Sequence, residues 1–155
     1  MLPIVRLPLA GVIALQGAAA SAQQVSYENL VEPVLSGGET VVGEAVVYPT
    51  SAPARVTAVI VTVPPGGETG WHTHPVPLFG YMLQGALTVT YDGHGERTYR
   101  TGEALLEAMK TRHNGRNAGP EPVRILTVYI GADGIPGAAA AEAPAPEAEQ
   151  TASPD

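Results

Sequence analysis

Three of the four histidines in this chain fall in two short stretches, His72-Thr73-His74 and His113 followed by Asn117, each behind a glycine-rich approach. Imidazole suits divalent transition metals because its neutral ring offers one nitrogen lone pair while the other nitrogen keeps its proton. In an extended strand alternate side chains share a face, so His72 and His74 can turn to one ion while His113 brings a third nitrogen from a distance. The spacing points to a metal centre made of His72, His74 and His113. His94, in Asp92-Gly93-His94-Gly95, is a polar, glycine-flanked residue between two strand-like runs and reads as an exposed hairpin tip outside that centre.

The elements that must position these rings read as strands. The runs Val41–Tyr48, Arg55–Val63, Ala86–Tyr91 and Val123–Ile130 are rich in β-branched and aromatic residues, and Gly and Pro punctuate the connections. Leu87, Val89 and Tyr91 alternate with Ala86, Thr88 and Thr90, the period of a strand with one buried face. Glu103–Glu107 is a further strand-like run just before the second histidine stretch, and a helix is credible only near Tyr27–Leu35. Short, evenly spaced antiparallel strands imply an all-β sandwich or barrel.

The two histidine stretches resemble the paired motifs of the cupin superfamily. Gly66, His72, His74 and Gly85 fall on the first motif, and Gly102, His113 and Asn117 on the second, where Ala108 and Lys110 stand in place of the usual Pro and Gly. The resemblance spans roughly Val41 to Ile130 and is closest to small single-domain, type-2-like (RmlC-like) cupins. It implies a small antiparallel jelly-roll β-barrel with the metal inside its mouth. One family ligand is missing, because the position of the metal-binding Glu holds Leu78.

That departure shapes the expected chemistry. Three neutral imidazoles leave the charge of a divalent ion uncompensated, so the centre should favour a small anionic organic molecule. The ion is expected to be Fe, Mn or Zn, which the donor set does not distinguish. Within the superfamily three-His sites occur in oxygenases that bind a chelating substrate on Fe(II), so the resemblance implies dioxygenase-like chemistry. A lyase or isomerase using the ion as a Lewis acid is a sibling reading, and a non-catalytic cupin that binds metal or a small molecule is the alternative. Catalytic residues are not identified by any motif; Glu107, Tyr81 and Gln84 are candidates, with Gln84 sharing the parity of the histidines only if its strand runs without a bulge. Glu107 and Glu68 are candidates to replace the missing acid. Trp71, Phe79, Tyr81 and Met82 would suit a pocket for a small organic acid, and Arg112, Arg116 and Arg124 are candidates to steer it. Asn117 is expected to brace the turn carrying His113.

Residues 1–22 read as a secretory signal ending in Ala20-Ser21-Ala22, residues 23–40 as an N-terminal extension, residues 41–136 as the barrel, and residues 137–155 as a disordered Ala/Pro/Glu tail without large apolar residues. Export across the inner membrane to the periplasm is expected, with no membrane anchor after cleavage. The formal charge is −7 with no basic stripe, which argues against nucleic acid, and the absence of cysteine rules out thiolate ligands and a cysteine nucleophile. A homodimer is compatible with edge strands.

Overall fold

A computed structural model describes residues 26–145 of the chain. The expected signal segment at residues 1–22, and the tail beyond residue 145, lie outside the described residues. The chain divides into two units between Glu32 and Pro33. In the first, the described element is a single 3-10 turn, Tyr27–Leu30, shorter than the helical stretch expected to Leu35. Ser26 makes no side-chain cap to it, Val31 is already extended, and Pro33 disfavours helical backbone at the residue before it.

Among its described residues the second unit contains nine strands: β1 Ala54–Val63, β2 His72–Thr73, β3 Leu78–Gln84, β4 Ala86–Tyr91, β5 Gly95–Arg100, β6 Ala104–Leu106, β7 His113–Arg116, β8 Val123–Ala132 and β9 Ala139–Ala140. They form two antiparallel sheets, ordered β1-β8-β3-β6 and β5-β4-β7-β2-β9. Val63, Met82, Val123 and Ile125 from the first sheet pack in one core with Leu87, Val89 and Tyr91 from the second. This is the small antiparallel jelly-roll barrel the sequence implied. The expected alternation in β4 is realised, with Leu87, Val89 and Tyr91 buried and Ala86 exposed. Between β3 and β4 the chain turns at Gly85, whose φ of 81° only glycine adopts readily and where a Cβ would lie 3.0 Å from Val123 Cγ2.

Two sequence expectations are corrected here. The Val41–Tyr48 run is not a ladder strand: it makes one isolated bridge, Glu39 to Ala45, and a tight turn in which Gly43 N–H donates to the Thr40 carbonyl. Gly43 sits at a φ of 84°, which breaks the extended run despite its valines. The tail expected to be disordered from residue 137 instead supplies β9, paired with β2 in the register His72 to Ala140 and Thr73 to Ala139. Strand addition satisfies backbone groups and asks little of the side chains, so a segment without large apolar residues can still pair.

Two polar side chains hold the loops flanking β7. The Glu44 carboxylate, in the turn just described, accepts hydrogen bonds from the N–H groups of Met109, Lys110 and Thr111 and from the Thr111 hydroxyl, at 2.5 to 3.0 Å. It clamps the segment where Ala108 and Lys110 replace the turn residues of the family motif. On the other side, buried Asn117 donates to the Val63 carbonyl at 3.0 Å and the Glu121 carbonyl at 2.8 Å, and its amide oxygen accepts from Gly119 N–H at 2.9 Å.

Replacing Asn117 with alanine would remove three hydrogen bonds to backbone groups, and the cost should be about 3 kcal/mol in chemical denaturation. For Glu44, burial raises the pKa, but the donors from Met109, Thr111 and Lys110 outweigh it and hold the carboxyl below its ordinary 4.5. A depressed folded pKa means stabilisation that is present above the ordinary value and lost as pH falls through the folded one. The gap in Tm between wild type and Glu44→Gln should therefore be open at neutral pH and close in acid. A gap that stayed constant into strong acid would show that the Glu44 charge contributes nothing.

Candidate metal centre

Strand pairing brings the histidines together. His72 and His113 are direct cross-strand partners of β2 and β7, so their side chains leave the sheet side by side. His74 follows two residues on, its N–H bonded to the Met109 carbonyl at 2.8 Å. The ring centroids lie 4.4 Å apart for His72 and His113, 4.9 Å for His72 and His74, and 5.1 Å for His74 and His113. One nitrogen from each ring can be chosen so that all three lie within 4.8 Å of one another, the only such donor group among the described residues.

Each ring is oriented by a backbone carbonyl. Nδ1 of His72 bonds the Gly70 carbonyl at 2.7 Å, Nδ1 of His74 the Gly137 carbonyl at 2.7 Å, and Nδ1 of His113 the Thr111 carbonyl at 2.9 Å. A carbonyl can only accept, so each Nδ1 carries the proton and each Nε2 presents a lone pair. His113 Nε2 is buried with no hydrogen-bond partner, an orphaned acceptor of the kind a metal ion satisfies. Burial also keeps the rings neutral. It lowers the pKa of His72 and His113, and it brings His74 down to about 3 against the opposing hydrogen bond to Gly137. The donor set thus fits a divalent ion through His72, His74 and His113.

The rings open on a cavity of about 80 Å³ between the sheets. A single water occupies roughly 10–15 Å³ on that scale, so the space admits a molecule of a few heavy atoms. Its walls include Leu78, Met82, Leu87, Val89, Leu105 and Ile125, and no lysine or arginine lines it. Leu78, at the family's Glu position, is buried in this wall, where it presents hydrocarbon.

The other sequence candidates separate cleanly. Glu107 lines the cavity and is buried, although it stands outside the group of mutually close histidine nitrogens. Burial pushes its carboxyl pKa up, with the Tyr91 side chain and the Ala108 N–H opposing. Tyr81 and Gln84 do not line the cavity. Residues 78, 80 and 82 of β3 face inward, so Tyr81 and Phe79 face the other way, and a register shift between Met82 and Gln84 interrupts the alternation before Gln84. Glu68 is exposed and accepts from the Asn114 amide, so it does not replace the missing ligand. Trp71 is likewise absent from the wall, and Tyr99 and Tyr129 are the aromatic residues that line it. Arg112 is paired with Asp92, and Arg116 and Arg124 are exposed. His94 is exposed in the β4–β5 turn, as expected.

Sequence reading missed Glu44 and Gly137. Glu44 was one acid in an apolar run, and its partners lie 65 to 67 residues away. Gly137 acts through its carbonyl, which leaves no mark on residue type. The Pro-x-Gly positions occupied by Ala108 and Lys110 were the one available sign that an outside group had to hold that turn.

Residues 59–129 match the family model described as a cupin domain. No curated protein matches the sequence. Among solved structures, oxalate decarboxylase of Bacillus subtilis, described with Mn(II) centres, is similar at 24% identity and a TM-score of 0.49, over 55% of this chain and 23% of that one. Lactobacillus farciminis oxalate decarboxylase is similar at 27% identity and a TM-score of 0.47, over 55% and 26%. The DMSP lyase DddQ of Ruegeria pomeroyi is similar at 22% and 0.49, over 55% and 42%. This chain thus spans about a quarter of the decarboxylases' length and under half of the lyase's. The stretch that matches the family model contains β2, β7 and all three clustered histidines, so residues 59–129 are a cupin domain.

Proposed function

We propose that this cupin holds one divalent ion, Fe, Mn or Zn, on Nε2 of His72, His74 and His113, and acts on a small anionic organic molecule bound beside it. The observation that carries the reading is the set of three Nδ1–H groups tied to backbone carbonyls, which leaves an unprotonated Nε2 on each of three closely clustered rings. A bound ion would supply positive charge and open coordination positions for an anionic head group. The protein supplies the rest. Neutral imidazoles add no charge, and Leu78 cancels none, so the attraction for an anion stays undiminished in a largely apolar-walled cavity. The apolar wall excludes water and packs the body of the substrate. Glu107, held toward its protonated form by burial, can donate a hydrogen bond to the bound molecule or carry a proton to or from it.

Dioxygenase-like chemistry on a chelating substrate is the first reaction class this arrangement supports, since three protein ligands leave room for two further partners. A lyase or isomerase would use Glu107 as the proton carrier. Capture without turnover is the second reading. It is favoured by the wall itself, in which Glu107 is the only charged-type side chain beside the histidines.

Titration of the purified chain with Fe(II), Mn(II) and Zn(II) should give one ion per chain, with affinity falling more than ~100-fold in His113→Ala, beyond the ~10–100-fold typical of losing a supporting group. Oxygen uptake by the Fe(II)-loaded protein across diketones, thiols and phenolic acids would support the oxygenase class. Product without oxygen uptake would support the lyase or isomerase, and no product with any ion would leave the binder. Leu78→Glu should tighten divalent-ion binding and weaken binding of azide to the loaded centre, because the added carboxylate cancels charge the anion would otherwise meet. Unchanged azide affinity in a Leu78→Glu protein with normal metal content would overturn the electrostatic account.

A further inference from the structure

The segment after β8 touches the histidine cluster at more than one point, although it lies beyond the residues that match the family model. The Gly137 carbonyl accepts from His74 Nδ1 at 2.7 Å. Two residues on, β9 pairs with β2 and sets Ala140 opposite His72. Ala141 N–H then donates to the Trp71 carbonyl at 2.9 Å, and Arg112 Nη1, on a guanidinium already held by Asp92, donates to the Glu142 carbonyl at 3.3 Å. The path is sterically specified at its start. Gly137 lies against the Tyr129 ring, where a Cβ would come within 2.7 Å of Cδ1, so only glycine lets the carbonyl approach His74 along this course. Tyr129 itself lines the cavity.

These contacts act on the two properties a ligand histidine needs. A hydrogen bond from Nδ1 selects the tautomer and fixes the ring plane, and a paired strand fixes the backbone from which the ring projects. His72 and His113 take their tautomer-setting carbonyls from residues two positions away, Gly70 and Thr111, so those bonds form wherever the local turn forms. His74 alone depends on a carbonyl 63 residues distant. That hydrogen bond forms only when the C-terminal segment is docked.

We propose that residues 137–142 are a working part of the metal centre, in which the Gly137 carbonyl is the positioning group for His74 and β9 is the support of His72. The proposal rests on the reading of His72, His74 and His113 as ligands. It makes Gly137 a positioning residue, since it acts on the ion only through His74.

The test compares the full chain with a chain ending at Pro136 and with full-length Gly137→Ala, using Co(II) alone as the probe. Binding affinity and the visible spectrum of the cobalt are read beside circular dichroism and thermal melting. In the metal-free proteins, ¹⁵N imidazole shifts report the His74 tautomer. The shortened chain should retain its β-sheet signature, bind Co(II) some ~10–100-fold more weakly, and give an altered spectrum as the geometry around His74 relaxes. Gly137→Ala should shift the His74 tautomer equilibrium and weaken Co(II) in the same direction, which keeps the test decisive if the shortened chain fails to fold. Wild-type affinity, spectrum and tautomer in a folded variant of either kind would overturn this proposal while leaving the three-histidine reading intact. Failure of the full chain itself to take up Co(II) would overturn both.

Discussion

An imidazole ring has one proton to place between two nitrogens, and this site depends on where that proton is held. With Nδ1–H committed to a carbonyl, Nε2 has no choice but to present its lone pair, and three such commitments leave three lone pairs on one cluster of rings. The carbonyls belong to separate parts of the chain: the turn before β2, the loop before β7 and the segment after β8. Each is held by other groups in turn. Thr111 is held by the Glu44 carboxylate, and Gly137 follows a course that its lack of a side chain permits. Metal-binding geometry is therefore a property of backbone placement as much as of the histidines.

The electrostatic character of the cavity follows from what surrounds that cluster. Two unit charges at 4 Å interact by about 1 kcal/mol in water and about 4 kcal/mol at an effective dielectric of 20. A cation held in the cavity that Leu78 and Ile125 line would thus attract an anion several-fold more strongly than an exposed arginine would. The proposed anion site could therefore do without Arg116 and Arg124, which remain at the surface. Burial works on the remaining titratable groups in one direction, toward neutrality: it lowers the histidines and raises Glu107. The interior favours uncharged walls around whatever charge an ion brings.

The two loop braces show how a domain of this size positions its site without a large core. Asn117 satisfies three backbone groups from inside the barrel, and Glu44 satisfies three N–H groups from outside it. Both act on the segments that begin and end β7. His113 stands at the first residue of that strand, so a shift of either loop would move it against His72, its partner across the ladder.

Much of this was written in local sequence. Alternation in Ala86–Tyr91, the β-branched runs that became β1 and β8, and the glycines between them specify strands because strand geometry is read two residues at a time. The spacing of His72, His74 and His113 marked the cluster because ligand chemistry constrains residue type. The hydrocarbon at residue 78 was visible by offset from Gly85. What sequence left undecided has a common physical cause. Gly43 ends a run of valines through a backbone angle, a one-residue irregularity after Met82 decides where Gln84 faces, and Glu44 finds donors 65 to 67 residues away. Short-range patterns carry no information about such meetings. The tail is the clearest case: Ala139 and Ala140 have side chains too small to announce a strand, and Gly137 contributes only a carbonyl. Residue type and periodicity determined which groups could bind a metal and which segments could pair. Tertiary structure alone decided which backbone carbonyls would orient them, because every residue carries a carbonyl and only the fold chooses among them.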